Sequence, residues 1–211
     1  MKINEIFFSI QGESSFSGKP CIFIRTTFCN LRCTYCDTEY AYYDGNEISL
    51  NEIIEKIKTY PCKLVEITGG EPLLQKDINV LAELLLENGY TVLCETSGSL
   101  DVDLISNKVH RIFDIKTPDS GEADKMHWDS IPKLTSRDEV KFVICSKADY
   151  KWSKDIIEKY KLIENHTVLM SAEHENMNNK DLVEWILEDG LNIRFQVQLH
   201  KYIWSADTIG V

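Results

Sequence analysis

Three thiols fall within one short run of the chain, Cys29-Asn-Leu-Arg-Cys33-Thr-Tyr-Cys36-Asp-Thr38. Thiolates so close in sequence can wrap a soft metal centre without help from distant parts of a fold. An iron–sulfur cluster is one occupant of such a set. A four-iron cluster held by only three thiolates keeps one iron open to chelate a small molecule. Structural zinc is a second reading, although it needs four ligands and usually shows two ligand pairs. No second pair follows here: Cys62, Cys94 and Cys145 stand singly, and no His-rich stretch lies near the loop. Unliganded thiols are the third reading, and spacing alone leaves all three open.

Other stretches carry groups of similar interest. In Thr68-Gly69-Gly70-Glu71-Pro72 the paired glycines let backbone approach a ligand closely, and exposed main-chain groups can bind a charged terminus. Glu95-Thr96-Ser97-Gly98 offers hydroxyls and a carboxylate to polar cofactor groups. Gln11-Gly12-Glu13 supplies an amide and a carboxylate, and Arg25 can clamp a carboxylate through two parallel hydrogen bonds. Asp114 and Lys116 alternate along a strand and so share one side, as site residues or as an ion pair; Lys141 and Gln196 pose the same choice. Each stretch also has a plainer reading. Gly-Gly-Glu-Pro is an ordinary turn, Gln-Gly-Glu a solvated loop, Asp37-Thr38 a helix cap, and His200-Lys201 part of a frayed terminus. His110, His127, His166 and His174 lack partners at metal-ligand spacing, and Cys21, Cys62, Cys94 and Cys145 read as small buried apolar residues.

These stretches need elements to position them, and the chain alternates strand and helix. Ile3 to Ile10 and Cys21 to Thr26 read as strands, the second delivering Arg25 to the thiol loop. Ser49 and Glu52 form a capping box ahead of a helix with Ile53, Ile54 and Ile57 on one face. Strands follow at Lys63–Thr68, Tyr90–Glu95, Val109–Ile115, Val140–Cys145, Thr167–Met170 and Asn192–Gln198. Helices lie within Leu73–Asn88, Ser153–Tyr160 and Asn179–Glu188. Such alternation predicts a parallel sheet with right-handed crossovers and outer helices. The 211 residues, 43% hydrophobic, suffice for one domain over 1–211 but not for a typical eight-unit barrel. The expectation is therefore α/β: a partial, open TIM-like barrel of about six parallel strands. Residues 117–137 are the least regular, an insertion with a short helix or a mobile lid. A net charge of -11 and a pI near 4.9 argue against a nucleic-acid surface. No apolar run spans a bilayer, the N-terminus does not read as a signal peptide, and seven cysteines, an odd number, suit a reducing cytoplasm.

Taken together, Cys-x3-Cys-x2-Cys with Tyr35 before its last thiol, and Thr68 to Pro72 downstream, resemble the radical S-adenosylmethionine enzymes. Within them, Gln11-Gly12-Glu13, Arg25, Cys36-Asp37-Thr38, Asp114-Ile115-Lys116-Thr117-Pro118 and the tail from Gln196 through Gln198, His200 and Lys201 to Trp204 resemble the 7-carboxy-7-deazaguanine synthase family. The likeness runs from residue 3 to the C-terminus. It implies the same partial barrel, and a 4Fe-4S cluster on Cys29, Cys33 and Cys36. S-adenosylmethionine would be held by Tyr35, Asp37, Gly70, Glu71, Glu95, Ser97, Lys141 and Gln196, and Mg2+ by Thr38. Gln11, Gly12, Glu13, Arg25, Thr68, His200 and the Val211 carboxylate would hold substrate, the tail folding over the site. The implied reaction is abstraction of a hydrogen from 6-carboxy-tetrahydropterin by a 5′-deoxyadenosyl radical, then ring contraction with loss of ammonia. The resemblance further implies an external reductant such as flavodoxin or ferredoxin, and a homodimer. Phe28 and Ser14 depart from it, standing where glycine is common. The rival readings are a glycyl-radical activating enzyme of the same superfamily and a non-catalytic zinc or electron-transfer protein.

Overall fold

The computed structural model describes residues 1–174, 176–205 and 208–211. Its first two strands, β1 (Lys2–Ile10) and β2 (Pro20–Thr26), are joined by the polar link 11–19. That link is too short to carry a crossover helix, so β2 returns antiparallel to β1. The two-residue β3 (Asn46–Glu47) adds antiparallel to the far edge of β1. From there the order is α1 (Leu50–Lys58), β4 (Leu64–Gly69), α2 (Ile78–Glu87), and then β5 (Thr91–Thr96), β6 (His110–Asp114) and β7 (Glu139–Ile144), joined by loops with short 3-10 turns where helices were expected to alternate. The chain continues through α3 (Lys147–Tyr160), α4 (Leu162–Asn165), β8 (Thr167–Ala172), α5 (Asn179–Asp189), β9 (Arg194–Phe195) and α6 (His200–Ile203).

The nine strands form one sheet in the order β3-β1-β2-β4-β5-β6-β7-β8-β9. Every pairing from β2 to β9 is parallel. Among the described residues the outer strands do not pair with one another, so the sheet curls without closing. The parallel, open barrel is as expected, while the entry hairpin and β3 are the antiparallel exceptions. The strand expected over Asn192–Gln198 shrinks to β9.

Local chemistry accounts for the helix starts. Ser49 and Glu52 close the capping box of α1, whose Ile53, Ile54 and Ile57 are buried. Each such isoleucine stabilises the fold by about 1.5–3 kcal/mol relative to exposure. α3 starts six residues before the expected Ser153, at Lys147, because the Ser146 side chain accepts the Asp149 N–H.

Strand alternation sorts the sheet into two faces. Ile22, Ile24, Val65, Ile67, Val140 and Phe142 point outward and are buried in the two larger apolar clusters beneath the helices. Phe23, Leu93 and Ile112 point inward and fill the barrel bottom with Phe7 and Phe16. Above that plug the inward positions turn polar. The irregular stretch 117–137 holds three short 3-10 turns and is pinned in place. Thr117 Oγ1 donates to Asp149 at 2.9 Å, Thr34 N to Ser120 O at 3.0 Å, and Arg32 N to Glu122 at 2.8 Å. It thus buttresses the thiol loop. Cys21 and Cys94 are buried as expected, whereas Cys62 and Cys145 are only half-buried.

Candidate active site

β2 ends at Thr26, and the chain turns through Phe28, whose φ of 77° is left-handed, into the thiol loop. Cys29, Cys33 and Cys36 all line a cavity of about 640 Å³ at the C-terminal ends of the parallel strands, where barrel folds collect their chemistry. None is in a disulfide. Burial raises Cys29 and pushes the Cys33 thiol up to about 11, so a metal centre binding there must displace protons. Among the described residues, no three His, Cys, Asp or Glu side chains converge tightly enough for a single ion. Three free thiols on one cavity wall fit a cluster that takes three protein ligands. Among the described residues the buried Tyr35 hydroxyl beside them has no hydrogen-bond partner.

The glycines after β4 answer to this loop. A Cβ on Gly70 would lie 2.2 Å from Phe28 O, and one on Gly69, at φ 148°, 2.4 Å from Thr26 O. Only glycine allows the two loops to touch, and Glu71 N then donates to Phe28 O at 2.7 Å. The Glu71 carboxylate is fully buried and turned away from the cavity. It accepts from Leu73 N (2.9 Å), Thr96 Oγ1 (2.9 Å), Ser97 N (2.7 Å) and Ser97 Oγ (2.6 Å). Burial still leaves it above the usual carboxylate range against those bonds. Its geometry is that of a brace, holding Ser97 on the cavity wall.

Inward-facing charges occupy the middle of the site. Lys141 on β7 reaches Glu13 at 2.5 Å, Glu95 at 2.7 Å and Asp114 at 3.8 Å. Burial disfavours its charge, but the three carboxylates outweigh that and raise it well above its ordinary value. Burial likewise pushes Glu13 up, yet Lys141 and Gln198 prevail and hold it low. Glu95, for which burial wins over Lys141, is raised. Asp114 and Lys116 do share one side, at 2.8 Å.

Arg25 donates through Nε to Glu5 at 2.7 Å, and among the described residues its terminal nitrogens have no partner. Tyr40 donates to the same Glu5 oxygen at 2.8 Å. The tail closes over these groups. Lys201 pairs with Asp37 at 2.8 Å, and Thr38 Oγ1 donates to Asp37 at 2.9 Å. Against desolvation, Lys201 and Thr38 hold the Asp37 carboxyl well below the usual range. A Cβ on Gly12 would lie 2.3 Å from His200 Nδ1, so the glycine makes room for the tail. Burial lowers His200 and favours its neutral form.

The Radical SAM superfamily profile matches residues 23–186. A 7-carboxy-7-deazaguanine synthase from Koribacter versatilis is 42% identical, with all of both chains covered. The protein of that name from Chlorobaculum tepidum is 40% identical over all of this chain and 97% of its own. The chain belongs to the 7-carboxy-7-deazaguanine synthase family. In fold it is similar to the crystal structure of QueE from Escherichia coli, with TM-score 0.80, 22% identity and 94% of each chain covered.

Of the family-derived site residues, all but Glu71 and Gln196 line the cavity, Val211 included. Gln196 stands behind it, accepting from Ser14 N at 2.8 Å and reaching Glu13 at 3.4 Å. Sequence reasoning missed Glu66 on β4 and Glu5 behind Arg25, and it named Lys201 and Gln198 in the tail without their contacts to Asp37 and Glu13. Glu66 had a signal: it sits two residues before Thr68 in a strand, hence on the same face. The other three are contacts between remote segments and had none.

Proposed function

We propose that the chain acts as a single catalytic domain over residues 1–211. It converts 6-carboxy-5,6,7,8-tetrahydropterin to 7-carboxy-7-deazaguanine, with ring contraction and loss of ammonia, as a radical S-adenosylmethionine lyase of deazapurine (queuosine) biosynthesis. One observation carries this reading: the thiol trio and an arginine with free terminal nitrogens open onto the same cavity, roofed by the chain's own tail. A glycyl-radical activating enzyme must admit a macromolecule. A roofed, arginine-lined cavity of about 640 Å³ suits a small acid.

Cys29, Cys33 and Cys36 hold the 4Fe-4S cluster. Gly70, Tyr35, Asp37, Glu95, Ser97 and Lys141 take S-adenosylmethionine, with Glu71 acting through Ser97. When bound, cluster and cofactor supply the one-electron chemistry that starts the reaction. Arg25, oriented by Glu5, clamps the substrate carboxylate with its two free nitrogens. Thr38, half-buried on the cavity wall, would support Mg2+ through its hydroxyl, since that ion keeps few protein ligands. Gln11, Gly12, Glu13, Thr68, His200 and Val211 face the ring, Gln196 steadying Glu13 from behind. Lys141 holds Glu13 low and so ionised as an acceptor, it pairs with Glu95, and the tail excludes water. An external reductant such as flavodoxin or ferredoxin, a homodimer and a cytoplasmic setting complete the reading. The family supports the first two, and seven free cysteines support the third.

The test is anaerobic turnover of protein reconstituted with iron and sulfide, given 6-carboxy-tetrahydropterin and followed by mass analysis. A deazapurine acid is the expected product. Methionine and 5′-deoxyadenosine without it would keep the superfamily and discard the reaction.

A further inference from the structure

β4 carries one carboxylate in an otherwise apolar run, Leu64-Val65-Glu66-Ile67, and the roles above leave it unused. Glu66 is 3% exposed and lines the cavity below Thr68. Its register partners on the neighbouring strands are Phe23 and Leu93, so no cation sits directly beside it. Among the described residues its one hydrogen-bond partner is Gln11, whose Nε2 donates to Oε2. Gln11 is fixed in that orientation because its own Oε1 already accepts the Glu13 N–H at 2.9 Å. Among the described residues the second Glu66 oxygen has no partner, and it is left for whatever fills the cavity.

The charged groups that face Glu66 come from each element packed on it: Glu95 on β5, Glu13 on the 11–19 link, Lys141 on β7 and Arg25 on β2. Both cations are already engaged, Lys141 by Glu13, Glu95 and Asp114, and Arg25 by Glu5. Burial first, then the charges of Glu95 and Glu13, keep Glu66 protonated well above the usual carboxylate range.

We propose that Glu66 is a specificity-determining residue: with Oε2 occupied by Gln11, its other oxygen presents an O–H donor to a ring carbonyl of a flat heterocyclic lactam. The proposal rests on the pterin reading and deepens it, since a pterin has such a carbonyl. An ionised carboxylate would accept from ring N–H groups and read a different edge. Glu66 therefore selects the oxo form of the heterocycle over one bearing an amino group at that position, which would meet donor with donor.

The experiment compares wild type, Glu66→Ala and Glu66→Gln as reduced, cluster-loaded enzyme with 6-carboxy-tetrahydropterin. Glu66→Ala raises KM by about 10- to 100-fold while iron content is kept. Glu66→Gln, a neutral donor of nearly the same shape, recovers to within about threefold of wild type. In wild type KM climbs on the alkaline side as Glu66 ionises and its donor is lost, and this limb is absent from Glu66→Gln. Glutamine as harmful as alanine, or alanine with wild-type KM, overturns the proposal. Should Glu66→Ala lose its cluster or fold, the pH limb and the glutamine variant decide. A wild type that cleaves S-adenosylmethionine yet yields no deazapurine sinks the reaction assigned above and not this proposal. Infrared difference spectra of wild type against Glu66→Gln then test it separately: a protonated carboxyl band at neutral pH supports it, and the lack of one overturns it.

Discussion

The two faces of the barrel sheet are built from the same strands, offset by one residue, and behave as different materials. On β4, Val65 and Ile67 are fully buried against helices, whereas Glu66 and Thr68 face the cavity. On β7, Val140 and Phe142 pack outward, and Lys141 between them serves three carboxylates. Apart from the buried Arg111–Asp138 pair at 2.6 Å, the outer face is largely apolar and its stability follows apolar area. The inner face buries ionisable groups in one network, so each carboxylate's charge depends on its neighbours. A strand thus separates stability from chemistry simply by alternating, and substitutions on the two faces should fail in different ways.

Cys33→Ala, on the inner loop, should abolish iron and sulfide binding and all deoxyadenosine formation, while far-UV circular dichroism keeps its wild-type shape. Loss of the helical signal along with the iron would show that the face division is not as clean as drawn. Lys141→Ala strands Glu13 and Glu95, while Asp114 keeps Lys116 at 2.8 Å, and should destabilise the fold by about 3–5 kcal/mol. The sign with pH follows from the shifts. In wild type the Glu13 pKa is depressed, so its contribution is present above the unfolded value near 4.3 and lost as pH falls. Without Lys141, Glu13 rises above that value and the already raised Glu95 rises further, so both oppose folding increasingly as pH climbs. Denaturant melts of the variant against wild type should therefore show a gap that widens from mild acid to neutral pH; a constant gap would mean the carboxylates are not coupled through Lys141.

Ile67→Ala, one strand position from Glu66, should cost about 2–5 kcal/mol through the cavity it leaves. That loss should be flat with pH, and KM of the folded fraction should not move. A pH-dependent loss would tie the outer face to the charge network after all. Phe28→Gly is the mildest. Phe28 holds a left-handed φ of 77° and is 42% exposed, so glycine relieves backbone strain while removing little packing. A gain of up to about 1 kcal/mol is expected in thermal melts, with cluster content unchanged.

Much of this molecule was legible in its sequence because much of it is local. Thiol spacing, the Ser49–Glu52 capping box and the strand alternation depend on neighbours a few residues apart, and they appeared as read. Phe28 and Ser14 were visible as departures from glycine, and the physical reason is backbone: both have positive φ. Other features required the barrel. Paired glycines at Gly69 and Gly70 suggested close approach to a ligand, but what approaches is the thiol loop itself. Glu71, placed by family likeness against cofactor, spends its carboxylate on Thr96 and Ser97. The 117–137 stretch has little internal regularity because its hydrogen bonds go to Arg32, Thr34 and Asp149, far off in sequence. Motif residues, through their resemblance to a known family, implied the chemistry, and short-range periodicity determined the face on which each side chain lies. Only the curl of the sheet, which brings β2, β4, β5, β6 and β7 around one cavity, decided which charges meet and which are held apart.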